Sequence, residues 1–145
     1  MNSYRLLGRV ALLAAAAITV PAIAPAETAA PPNAAVYIIS PKDGDTVASP
    51  FKVRFGLSGM GIAPAGVEKA NTGHHHLIID ATLAAEELKA PIAVDAKHVH
   101  FGGGQTEAMV TLAPGQHTLQ LVLGDWMHTP FNPPLVSPVV TVTVK

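Results

Sequence analysis

Cysteine is absent from this 145-residue chain, aromatic residues make up only 5% of it, and charged residues 13%. The first absence removes thiol nucleophiles, thiolate metal sites and disulfides together. A small domain without disulfides must draw its stability from an apolar core, a metal or assembly. An excess of either charge is missing as well: nine basic residues face ten acidic ones. That balance does not suit a nucleic-acid partner. Common catalytic signatures are also lacking. There is no Gly-x-Ser-x-Gly elbow and no His-Glu-x-x-His helix, and Gly102-Gly103-Gly104 is followed by Gln105 where a phosphate loop needs lysine. The glycine triplet therefore reads as a tight turn, because only glycine takes φ > 0 freely.

Long apolar runs are scarce too. The longest, Val10 to Val20, follows Arg5 and Arg9 and precedes the small-residue ending Ala24-Pro25-Ala26. A basic start, a short apolar centre and an Ala-x-Ala ending describe a secretory signal peptide over residues 1–26. The run falls short of the ~20 residues that span a bilayer. The expectation is export to a bacterial periplasm, with no membrane span after cleavage. Residues 27–35, rich in Ala and Pro, read as a flexible leader, and 36–145 as one domain.

That domain has the pattern of a β protein. In Phe51 to Leu57, Phe51, Val53 and Phe55 alternate with Lys52 and Arg54. Leu119, Leu121 and Leu123 alternate in the same way, as do the valines of Val139 to Val144. Strands are also expected at Val36 to Ser40, His74 to Asp80, His98 to Phe101 and Glu107 to Leu112. About seven short strands at this spacing predict an all-β, immunoglobulin-like β-sandwich. Ala81 to Lys89 is the one stretch with helical propensity, ended by Pro91.

What the chain does have is histidine: His74, His75, His76, His98, His100, His117 and His128. Strand alternation puts His75, Leu77 and Ile79 on the core side, and His74, His76, Ile78 and Asp80 on the other, which the charge of Asp80 marks as the wetter face. By the same parity His98 and His100 point away from the core, since Val99 and Phe101 point into it. Two His-x-His pairs thus face outward, and their rings can share a transition metal if the strands are neighbours. The expected ligands are His74, His76, His98 and His100, at the surface. An all-nitrogen set suits copper or zinc rather than calcium or magnesium. Gln105, Glu107 and Asp125 are candidates for support or a spare ligand, with His75, His117 and His128 as further possible contributors. His117, after the Pro114-Gly115 turn, reads as a structural corner residue. His75 reads as a core residue.

Other readings use the same residues. A metal-free module could bind an envelope protein or glycan. A cluster of imidazoles near the ordinary pKa of about 6.5 could sense acidity. A hydrolase could use Glu107 as general base beside metal-bound water.

Three segments carry a resemblance: Gly73-His74-His75-His76-Leu77, His98-x-His100-Phe101-Gly102-Gly103-Gly104-Gln105-Thr106-Glu107, and Pro114-Gly115-x-His117-Thr118-Leu119-Gln120-Leu121. Together they are similar to a bacterial exported family known as domain of unknown function 4399. The resemblance runs from about Val36 to Lys145. It implies a single small envelope domain and supports treating His74, His75, His76, His98 and His100 as one unit. It implies no activity.

Overall fold

The structure, a computed structural model, describes residues 27–145. The expected signal peptide lies outside the described residues, none of whose helices is long and apolar enough to cross a membrane.

Two sheets pack face to face. The smaller joins β1 (Ala35–Ser40), β3 (Phe51–Ser58) and β7 (Glu107–Val110) in the order β1-β3-β7, all antiparallel. The larger runs from β2 (Thr46–Val47) through β9 (Val140–Val144) and β8 (Gly115–Gly124) to β5 (Thr72–Ile79). Two short strands share the far edge of β5. β4 (Gly61–Ile62) pairs parallel with its start, and β6 (His98–His100) antiparallel with its end.

The alternating strands meet in the middle. Val36 and Ile38 of β1 and Phe51, Val53 and Phe55 of β3 are buried against Leu77 and Ile79 of β5, the three leucines of β8, and Val140, Val142 and Val144 of β9. Lys52 and Arg54 project outward, where both pair with Glu107 across β3 and β7. The fold is therefore the all-β sandwich that the period-2 pattern predicts.

The larger sheet departs from the expected pattern in being covered on its outer face as well along β5 and the end of β8, while Thr143 of β9 remains exposed. On its outer face Ile78 and Val122 pack with Ile92, and Ala81, Leu83 and Val136 join them from the segments that follow β5 and β8. This explains a second difference. The stretch Ala81 to Lys89 is not a helix but an extended segment ending in one 3-10 turn, Glu87–Lys89. So short a helix gains little from propensity alone. Laying Leu83 and Ile92 over the sheet buries apolar surface that a helix stopped by Pro91 would leave exposed. At the leader, Thr28 and Ala30 exchange backbone hydrogen bonds with Asn132.

Candidate metal centre

The outer face of β5 carries His74 and His76, as parity requires, but both rings are 0% exposed. The expectation of a wet surface cluster is corrected here. Asp80 misled it. That residue sits beyond the end of β5, in a left-handed conformation (φ 50°), and faces His117 instead. His100 of β6 lies opposite His76 in the antiparallel register, so their rings meet on the same face. A fourth imidazole, His128, comes from the loop after β8.

Two glycines make room. A Cβ at Gly124, opposite His74 on β8, would fall 2.9 Å from His76 Nε2. One at Gly102 would fall 2.6 Å from His100 Nε2. The His128 loop is set by a buried carboxylate. Asp125 Oδ1 accepts from the backbone N–H of Met127 (2.8 Å) and Thr129 (3.0 Å), and Oδ2 from the Thr28 hydroxyl (2.6 Å). His128 N–H in turn donates to the Asp125 carbonyl.

One ligand atom from each of His74, His76, His100 and His128 lies within 4.8 Å of all the others. His74 and His76 approach closest, Nε2 to Nε2 at 3.1 Å. Two nitrogens bound tetrahedrally at about 2.0–2.1 Å would be about 3.3 Å apart. The arrangement is thus close to that of an ion's coordination shell.

Among the described residues, every buried side-chain nitrogen or oxygen without a hydrogen-bond partner is an imidazole nitrogen. Four of these, on His74, His76, His100 and His128, belong to the cluster. Burial pushes His74 from the ordinary 6.5 down to about 4, and the charges that His100 and His128 would carry add to the shift, against partial opposition from Asp125. His76 is pushed to about 3, again by burial first and then by its three partners. His100 is lowered by burial and by His128. Rings that stay neutral keep their lone pairs free for a metal. At about 4 and about 3, His74 and His76 lie below the pH range near 6.5 in which the cluster was expected to sense acidity.

The family described as Domain of unknown function (DUF4399) matches residues 53–145, more than half of the chain. The chain belongs to this family. No curated protein and no solved structure matches it. The part matched to DUF4399 contains all four converging histidines, and the family's description carries no activity.

Within the DUF4399 domain the other expected residues fall as follows. His98 is not brought into the cluster. It lies opposite Ile78, two pairs along the ladder from His100, and its Nδ1 is 2.8 Å from Asp95 Oδ1. His128, named only as a possible contributor, takes its place. His75 faces the core, as expected, with its ring 5.2 Å from that of Phe55. Neither of its nitrogens has a hydrogen-bond partner of good geometry, and burial lowers its pKa although the Gln105 and Gly56 backbone partly opposes this. His117 is structural. Its Nδ1 lies 2.7 Å from Asp80 Oδ2 and its Nε2 2.9 Å from the Ala113 carbonyl; both partners are acceptors, so they favour the charged ring and raise its pKa. Gln105 ties the glycine turn through Gly103 N–H. Glu107 stands on the outer side of the other sheet, held by Lys52 and Arg54, with the sandwich between it and the cluster.

Only Asp125, of the suggested supporting groups, touches the loop that carries a ligand. The signal for His128 was faint: Gly124-Asp125 ends β8 just before it, and a glycine beside a buried carboxylate marks a tightly built loop.

Proposed function

We propose that the protein holds one transition-metal ion, copper or zinc, through His74, His76, His100 and His128, and that it does so as an exported binding protein of the cell envelope. One observation carries this reading: one nitrogen from each of four imidazoles converges within 4.8 Å, and the Nε2 atoms of the two fully buried rings, His74 and His76, have only each other as partners. An ion would engage all four rings at once. Binding rather than catalysis suits the ligand count, since four protein ligands fill a tetrahedral sphere while a catalytic ion keeps a position open. The signal-like start of the sequence supports export.

The test is titration of the purified, metal-free protein with copper(II), zinc(II) and nickel(II), followed by elemental analysis after dialysis. One bound ion per chain is expected, with a rise in melting temperature. If none of the three binds or raises the melting temperature, the reading fails and a metal-free interaction module becomes the better one.

A further inference from the structure

The metal reading above leaves the ion and its oxidation state open, and the shape and charge of the site distinguish among them. We propose that the site is built for copper in the cuprous state, favouring a singly charged ion with no geometric demand over copper(II) and zinc(II).

Shape comes first. Five of the six distances between the four ring centroids lie between 4.6 and 5.1 Å, and only His76 to His128 is longer, at 6.2 Å. Four sides of 4.6–5.1 Å with diagonals of 5.0 and 6.2 Å describe a flattened tetrahedron. A square of rings with 5 Å sides would put two pairs about 7 Å apart, and square or tetragonal is the arrangement copper(II) prefers. Copper(I), with a filled d shell, has no such preference.

Charge comes second. All four donors are neutral imidazoles, so the ion brings its whole charge into the fold. His74 and His76 are fully buried on a face they share with Ile78 and Val122. The cost of placing an ion in such surroundings grows with the square of its charge. Asp125 is the one buried carboxylate among the described residues, and it can offset one positive charge rather than two. Zinc(II) accepts the tetrahedral shape but carries the second charge.

The two copper states differ by one electron, with no ligand gained or lost. Copper(I) would be supplied under argon as its acetonitrile complex against a chromophoric cuprous chelator, and copper(II) in air against a competing amine. Relative to copper in free imidazole, the preference for copper(I) over copper(II) should rise at least ~100-fold, or about 120 mV in midpoint potential at 59 mV per tenfold for one electron. Zinc(II) at equal free concentration should not displace copper(I). Asp125→Asn removes the countercharge, so it should raise the cuprous preference further, whereas a purely architectural Asp125 would weaken both states equally.

An unshifted ratio, a tetragonal copper(II) resonance signal, or displacement by zinc overturns the cuprous proposal while leaving metal binding intact. Failure to bind any ion overturns both.

Discussion

His76 Nε2 and His74 Nε2 lie 3.1 Å apart on the covered face of β5, each ring fully buried. Without an ion one nitrogen must donate to the other. With an ion both lone pairs turn to the same point, so one ring moves its proton to Nδ1. Binding by these two rings therefore changes a tautomer rather than releasing protons. Nitrogen chemical shifts of His74 and His76 should show this exchange at pH 7.5 on addition of zinc.

The ligand set itself can be distinguished by substitution. At free metal a hundredfold above Kd, binding stabilises by about 2.7 kcal/mol, a rise of roughly 10 °C for a domain of this size. His74→Ala, His100→Ala and His128→Ala should each abolish most of that rise. His98→Ala should leave it in place. Thermal melts with and without zinc decide, and an unaffected His128→Ala would refute the loop ligand.

Acid should loosen the metal-free protein earlier than its carboxylates alone would dictate. His74 and His76 have folded pKa values of about 4 and about 3 against an ordinary 6.5. The unfolded chain thus binds protons first as pH falls through 6.5. Stability is full above that value and is lost progressively towards pH 3 to 4. His117 acts oppositely: its raised pKa adds stability below 6.5 that disappears as pH rises through its folded value. Melting temperatures between pH 7.5 and 4 should fall, and His76→Leu should flatten the slope.

Asp125 is a positioning residue, holding the His128 loop through three donors. Asp125→Ala strands the N–H groups of Met127 and Thr129, at a cost of about 1–3 kcal/mol each where water cannot replace the carboxylate. Thr28→Val removes only the hydroxyl bond. Both should speed metal release, by roughly tenfold for a loss of 1.4 kcal/mol, with Thr28→Val leaving the melting temperature of the metal-free protein almost unchanged. Stopped-flow transfer of metal to a chelator measures the rate.

Gly102 and Gly124 provide a steric test. Alanine at either position brings a methyl within 3 Å of a ligand ring, 2.6 Å from His100 Nε2 or 2.9 Å from His76 Nε2. Gly102→Ala should weaken metal binding more than tenfold while preserving the β-type circular dichroism spectrum. Unaltered affinity in both variants would place the rings elsewhere.

Parity in the sequence separated His74 and His76 from His75, and His100 from Phe101, because alternation is a local property of an extended chain. Exposure is not local. The face of His74 and His76 became an interior because Leu83, Ile92 and Val136 return over it from distant segments, and Ile78 on that face was the one hint. Register decided between His98 and His100, and nothing in His98-Val99-His100 says which of them meets His76. His128 depended on where the loop after β8 folds back, a tertiary fact with only Gly124 and Asp125 to suggest it.

The backbone of His128 has φ 67°, a left-handed conformation that side chains with a Cβ adopt reluctantly. Glycine would rest there without strain. Replacing His128 with glycine is therefore expected to make the ion-free fold sturdier while destroying its capacity to hold the ion. At this one position durability and purpose oppose each other, and a screen for thermal tolerance alone would select the broken protein.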